Sequence, residues 1–118
     1  MKKTKTSTVA LVLATIVFSA TASSASFWVT GKINRTLADQ NYAGCMIFLD
    51  KAIGGTCPGS WVSLDCKGLF NDKDQMTGKN KFSLALAAAQ TGKTVSVYVN
   101  DANKANGYCV ARRIDVTY

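Results

Sequence analysis

The sequence contains no histidine and no glutamate, and its four cysteines include no C-x-x-C pair. Histidine and glutamate carry out much of the proton transfer in enzymes, so their absence leaves general acid–base catalysis with few suitable side chains. Zinc sites are usually built from closely spaced cysteines or from histidines, and neither pattern is present. We therefore expect a protein that is not an enzyme and that holds no metal and no cofactor.

Long apolar segments are also missing. The main apolar stretch, residues 9–18, has about half of the roughly 20 residues that a membrane-spanning helix needs. It follows three lysines in the first five residues and precedes a run of small residues at 19–25, which is the layout of a secretory signal peptide. A permanent membrane anchor is the alternative, and the shortness of the stretch disfavours it.

Two motifs of small residues offer a cleavage site, an A-x-A motif that ends at Ala22 and an S-x-A motif that ends at Ala25. We predict cleavage after Ala25, which removes residues 1–25 and leaves residues 26–118 as a single domain. The protein is then secreted or periplasmic and has no membrane span.

Cleavage also changes the net charge. Three lysines leave with the signal, so the formal charge falls from +7 to +4, because 11 lysines and arginines then face 7 aspartates. The remaining cations suit an anionic partner such as an acidic sugar or a nucleic acid. For most of these cations, solvated surface charge is the simpler interpretation.

All four cysteines, Cys45, Cys57, Cys66 and Cys109, lie in the exported part of the chain. A domain of about 93 residues is close to the size at which a hydrophobic core alone is only marginally stable. Oxidation is allowed outside the cytoplasm, so two disulfides are expected, with a metal site as the disfavoured alternative.

Patterns of apolar and polar residues predict a mainly β protein with one helix. Predicted strands lie at residues 27–33, 45–49, 61–66, 94–99 and 108–116, with a polar hairpin loop at 100–107. The helix is predicted at residues 79–90, where Phe82, Ala85, Leu86 and Ala89 recur at helical spacing before Gly92. Three strands, a helix and two strands are the order of an OB-fold, a five-stranded Greek-key barrel.

OB-fold geometry favours one of the three pairings that four cysteines allow. The start of the second strand faces the end of the third in an antiparallel pair, which brings Cys45 to Cys66. The third and fifth strands run parallel, so their starts adjoin and Cys57 can meet Cys109. We predict these two disulfides, each contributing about 2–4 kcal/mol.

Several motifs occur together in the predicted domain: T-G-K-T-V-S-V-Y at 91–98 after an alanine-rich helix, V-T-G at 29–31, and a cysteine in each of the second and third strands. In this the chain resembles the B subunits of AB5 toxins of the subtilase and pertussis kind. Small uncharacterised secreted bacterial proteins are similar too, through W-V-S-x-x-C at 61–66 and G-Y-C-x-A-x-R-I-D-V at 107–116.

The resemblance to toxin B subunits implies a secreted OB-fold that assembles as a homo-pentamer, binds cell-surface glycans, typically sialylated ones, and partners an A subunit. In those subunits the sugar lies against a hydroxyl residue of the first strand. Thr30 is the matching residue here, where the subtilase-type subunit has serine. Aromatic and polar groups near the fourth strand help, but Val99 rather than Tyr98 stands at the family's tyrosine position.

The resemblance implies a glycan site around Thr30, and nearby residues add candidate contacts to it. Aromatic faces stack on sugar rings or on bases, so Trp28, on the polar side of the first strand, and Tyr98 are candidate contacts. Asn100 and Asp101 begin a polar loop that suits a hydroxyl-rich ligand. Packing under the helix or in a subunit interface is the alternative for Trp28, and ordinary turn chemistry is the alternative for the loop.

Arg112 and Arg113 are adjacent in the fifth strand, so we expect their side chains on opposite faces, with at most one at any binding surface. Asp65 and Asp115 lie near strand ends and are expected to pair with these arginines. Trp61, at the start of the third strand, is expected to be buried.

Taken together, the sequence favours an exported, non-enzymatic module that binds carbohydrate. The alternative is a periplasmic or secreted protein-binding module, such as an inhibitor or an envelope factor, for which the OB-fold is only a scaffold. Nucleic-acid binding through the basic strand face is the third hypothesis, and export disfavours it.

Overall fold

The computed structural model describes residues 10, 12–16, 24–70 and 75–117. Most of the predicted signal peptide therefore lies outside the described residues, including both small-residue positions of the A-x-A motif. In the part of the chain that is described, no helix combines the length and the apolar character that crossing a membrane requires.

Five strands and one helix form in the predicted order. They are β1 (Ser26–Asp39), β2 (Gly44–Leu49), β3 (Trp61–Ser63), α1 (Gln75–Thr91), β4 (Thr94–Ala105) and β5 (Tyr108–Thr117). The first strand, the helix and the fourth strand are longer than predicted, and the third is shorter.

The strands form a sheet that closes on itself in a ring. β1 pairs antiparallel with both β2 and β4, β2 with β3, and β4 with β5. β3 and β5 run parallel, with Ser63 opposite Val110, and this pairing completes the ring in the order β1-β2-β3-β5-β4. The predicted OB-fold-like arrangement is confirmed.

Alternate strand residues fill the interior of the ring. The core includes Val29, Ile33, Ile47, Leu49, Val62, Val95, Val97, Val99, Ala111 and Ile114. Helix α1 packs against this core through Ala85 and Ala88, which are buried, and through Phe82 and Ala89, which are partly buried. Alanines on this face let the helix backbone approach the sheet closely.

Strand β3 ends at Ser63 rather than at residue 66. Asp65 has a φ of 57°, a left-handed conformation that cannot continue a strand. Its carboxylate accepts hydrogen bonds from the N–H groups of Leu69 and Phe70 at 2.8 and 2.9 Å, and the residue is 1% exposed. The prediction that Asp65 pairs with Arg112 or Arg113 is therefore wrong, because the carboxylate is turned inward to order the loop after β3.

Both predicted disulfides are present. The Cα atoms are 5.6 Å apart in Cys45–Cys66 and 5.5 Å apart in Cys57–Cys109. The antiparallel β2–β3 pair places the first bond, and the parallel β3–β5 pair places the second. The reasoning from strand direction is thus confirmed.

The β4–β5 connection is a two-residue turn rather than a loop of eight residues. Ala105 pairs with Tyr108, and Asn106 and Gly107 have φ values of 48° and 88°. Positive φ at both central positions is typical of the Asn-Gly hairpin turn. The polar residues before the turn remain in β4, where the register is irregular between Asn100 and Lys104.

Candidate functional site

The outward surface of β1, β4 and β5 brings together most of the predicted glycan contacts. Trp28 lies opposite Tyr98, which in turn lies opposite Arg113. In the next row, Thr30 lies opposite Ser96. Alternate residues of paired strands project to the same face, so the two rows form one continuous polar and aromatic surface.

We call Trp28, Tyr98, Arg112 and Arg113 the aromatic–arginine face. These four side chains line an open hollow of about 500 Å³. The ring centroids of Trp28 and Tyr98 are 5.1 Å apart and their planes are tilted by 45°. Trp28 is 47% exposed, so the expectation that it points away from the core is confirmed and its ring is accessible to a ligand.

Both arginines lie on this face, contrary to the prediction that they point to opposite sides. Tyr98 pairs with Arg113, whereas the next residue, Val99, pairs with Ala111, so Arg112 is an extra residue in β5. An extra residue of this kind is a β-bulge, which interrupts strict alternation. The bulge therefore places a second guanidinium, that of Arg112, at the hollow.

The two arginines differ in their partners. Arg113 lies 5.5 Å from the Trp28 ring centroid and makes two hydrogen bonds to Asp115, at 2.7 and 3.1 Å. The predicted pairing of Asp115 with one of these arginines is thus confirmed. Arg112 is exposed, and no ion pair involves it among the described residues. Its guanidinium is the cationic group of the hollow that is open to a ligand anion.

Thr30 and Asn100 extend the same surface. The hydroxyls of Thr30 and Ser96 are 2.7 Å apart and hydrogen-bonded. Asn100 lies opposite Ser26 and donates its side-chain amide to the Ser26 hydroxyl at 3.1 Å. These groups give the aromatic–arginine face a rim of donors and acceptors.

Asp101 is the predicted site residue that the structure places elsewhere. It is 8% exposed, and its Oδ1 accepts the N–H of Ala25 at 2.8 Å while its Oδ2 accepts the N–H of Thr56 at 3.4 Å. The irregular register after Asn100 turns this carboxylate toward the backbone. Asp101 thus holds two segments together, away from the other candidate residues.

These contacts set the ionisation of Asp101. The hydrogen bond from Ala25 is the main cause of a lowered pKa; burial opposes it, while Thr56 and Lys104 lower the pKa further. A carboxylate with a lowered pKa stabilises the fold above its ordinary pKa of about 3.9, and this contribution is lost as the pH falls through the folded-state value.

Replacing Asp101 with asparagine should therefore have a pH-dependent effect. We expect the variant to be less stable than wild type by a constant amount above about pH 5, because the carboxylate is then fully ionised. The difference in free energy of unfolding between the two proteins should decrease below about pH 4, where the wild-type carboxylate becomes protonated. Urea unfolding of both proteins, followed by tryptophan fluorescence at a series of pH values, measures it. A gap that stays unchanged down to pH 2 would contradict this role.

A second hollow lies on a different part of the ring. We call it the tyrosine hollow; it measures about 190 Å³ and is lined by Leu37, Tyr42, Met46, Trp61 and Tyr108. The Tyr42 and Tyr108 rings are 5.7 Å apart, edge to face. Trp61 is half-buried rather than buried, because it packs outward against Phe48 at 5.0 Å and beneath Arg35 at 5.3 Å.

Sequence reasoning missed the tyrosine hollow and the second arginine. Tyr42 follows β1 in a turn, and Tyr108 follows the Asn-Gly turn, so no local pattern indicates that the two rings meet. The described residues contain no group of three cysteine or aspartate side chains that suits a metal ion.

Comparison with protein-family models, with curated proteins and with solved structures finds no match to this chain.

Proposed function

We propose that this is an exported carbohydrate-binding protein whose site is the aromatic–arginine face. The observation that supports this most is the exposed Trp28 ring beside Tyr98, next to the Arg112 guanidinium, which has no ion pair among the described residues. Aromatic rings, a cation and a hydroxyl rim occur together in a hollow whose size is within the range of small-molecule sites.

The chemistry of the face fits an acidic sugar. The apolar side of a sugar ring packs on an aromatic face, and tilted neighbouring rings make a cradle for it. The Thr30–Ser96 pair and Asn100 can exchange hydrogen bonds with sugar hydroxyls. A guanidinium binds a carboxylate through two parallel hydrogen bonds, so Arg112 favours a sialylated glycan over a neutral one.

Export is the second part of the proposal. The two disulfides support it, because such bonds persist in secreted and periplasmic proteins and are rare in the cytoplasm. The charged, apolar and small-residue order of the first 25 residues also supports it. Assembly as a pentamer with an A subunit stays a prediction, which the mass of the purified protein in solution would test.

Removing the Trp28 ring tests the sugar site. We expect Trp28→Ala to weaken binding of sialyllactose on the order of 10-fold, because burying the apolar side of a sugar ring against the indole contributes about 1–2 kcal/mol and each 1.4 kcal/mol is about tenfold in affinity. Isothermal titration of the exported, oxidised protein measures the affinity. Arg112→Gln should weaken sialyllactose binding while leaving lactose binding unchanged.

Trp61→Ala is the matched control, because it removes the other tryptophan from the tyrosine hollow. Its sialyllactose affinity should equal that of wild type, with thermal melts confirming that both variants are folded. A loss in Trp61→Ala and none in Trp28→Ala would assign the sugar to the tyrosine hollow. Absence of binding by the wild-type protein across a sialylated glycan array would contradict the proposed function.

A protein-binding function is the second candidate, and the tyrosine hollow is the observation that favours it. Its volume of about 190 Å³ and its aromatic lining suit one large apolar side chain of a partner. It also lies beside β2, β3 and the turns before β2 and β5, the region that OB-folds often use for binding. Capture of a defined envelope protein by wild type but not by Trp61→Ala would favour this function.

A further inference from the structure

Ala25 is bonded to the folded domain, although it is the last residue of the predicted signal peptide. Its N–H donates to Asp101 Oδ1 at 2.8 Å, and its carbonyl oxygen accepts the N–H of Asp101 at 3.0 Å. Ser26 then pairs with Asn100. Backbone bonding to the domain therefore includes Ala25, the residue just before the cleavage point that the S-x-A motif suggests.

The Asp101 carboxylate is arranged to receive this residue. It is 8% exposed, its second oxygen faces the N–H of Thr56, and the Thr56 hydroxyl bonds to the Asp101 carbonyl oxygen at 3.4 Å. Loss of Ala25 would leave Oδ1 without its main donor, and an acceptor left unsatisfied in a buried place is costly. The new amino group of Ser26 would lie one residue, about 3.3–3.6 Å, further along the chain, at the position that pairs with Asn100.

We propose that Ala25 is retained after export, and that the signal is cut after Ala22 so that the mature chain begins at Ser23. The A-x-A motif at Ala22 supplies the small residues that cleavage needs. With this cut Ala25 keeps a neutral backbone N–H, which remains bonded to Asp101, and the neighbouring Ser24 is exposed. This inference rests on the proposed export but not on sugar binding.

The first residue of the exported protein tests the inference directly. The full 118-residue chain is expressed in a secreting bacterial host, and the product outside the cytoplasm is analysed by intact mass. A chain that begins at Ser23 is expected. One that begins at Ala25, cut after an A-x-S motif, would support retention of Ala25 but overturn the cut after Ala22. A chain that begins at Ser26 overturns the inference while leaving export intact. An uncleaved chain that stays in the cytoplasm overturns both.

Two signal variants show whether Ala25 matters to the fold. Ala22→Tyr puts a bulky residue in both upstream motifs and leaves only the cut after Ala25. Its product should begin at Ser26 and melt about 5 °C or more below wild type, as expected for loss of bonds to a buried acceptor. Ser23→Tyr blocks the cut after Ala25 instead, and its product should melt with wild type.

Asp101→Asn links the effect to the carboxylate. In the Asp101→Asn background, the melting temperatures of the two products, one beginning at residue 23 and one at Ser26, should differ by less than half of their difference with Asp101 intact. The reason is that asparagine accepts the Ala25 N–H more weakly than the carboxylate does. Equal melting temperatures for the chains that begin at Ser23 and at Ser26 with Asp101 intact would overturn the role of Ala25.

Discussion

Replacing Gly78 with alanine is expected to destabilise the fold by about 3 kcal/mol or more. A Cβ atom at this position would overlap the backbone carbonyl of Asp65 and lie 2.8 Å from the Cα of Cys66. Both obstacles are backbone, and Cys66 is fixed by its disulfide to Cys45, so neither can move cheaply. Overpacking of this kind costs about 1–3 kcal/mol or more, and here it separates α1 from the loop that Asp65 orders.

Gly92→Ala is the matched control on the same helix. Gly92 follows α1 with a φ of 64°, and nothing lies within 4 Å of an added Cβ there. Alanine at this position should therefore lower the free energy of unfolding only by the cost of a left-handed backbone conformation, about 1 kcal/mol. Urea unfolding of both variants compares the two costs. Equal destabilisation would show that the close approach at Gly78 does not limit the packing of α1.

Removing the Cys57–Cys109 disulfide should have the other large effect on stability. The bond closes a loop of 52 residues, for which loop-closure entropy gives about 4 kcal/mol. The Cys57→Ser, Cys109→Ser double variant also places a hydroxyl where Cys109 is 0% exposed, which adds to the loss. Since small domains are stable by only about 5–15 kcal/mol, the variant should be largely unfolded in mild denaturant.

The other disulfide provides the comparison. Cys45 and Cys66 are 21 residues apart, so their bond should contribute roughly 0.8 kcal/mol less by the same entropy argument. Urea midpoints of the two double-serine variants measure the order. A larger loss on removing Cys45–Cys66 would show that native packing around the sulfur atoms, rather than loop length, decides the contribution.

Strand direction explains why so much of the fold is predictable from the sequence. Period-2 patterns reveal the strands, and their order leaves few ways to arrange a five-stranded ring. Cys57 lies shortly before β3 and Cys109 lies at the start of β5, so the parallel direction of these two strands brings the cysteines together. Trp28 is predictable for the same reason, since it alternates with the buried Val29.

The arrangement of the site depends on departures from those patterns. A bulge places Arg112 beside Arg113, and nothing in an alternating stretch of letters marks where an extra residue will fall. Asp101 resembles a loop residue in sequence, yet an irregular register turns it to the backbone of Ala25. Such features depend on contacts between distant segments, so a local pattern does not contain them.

The parallel junction between β3 and β5 is short, with Ser63 opposite Val110, while the β1–β4 junction runs from Ser26 to Lys32. The short junction is where the ring would separate first in a local opening, since the fewest ladder bonds hold it. Cys57–Cys109 links the segment before β3 to the start of β5, and Cys45–Cys66 links the start of β2 to the segment after β3. Amide hydrogen exchange in β3 should thus occur by local opening of the β3–β5 pair. In the oxidised protein the two disulfides should keep this opening from spreading to the rest of the ring.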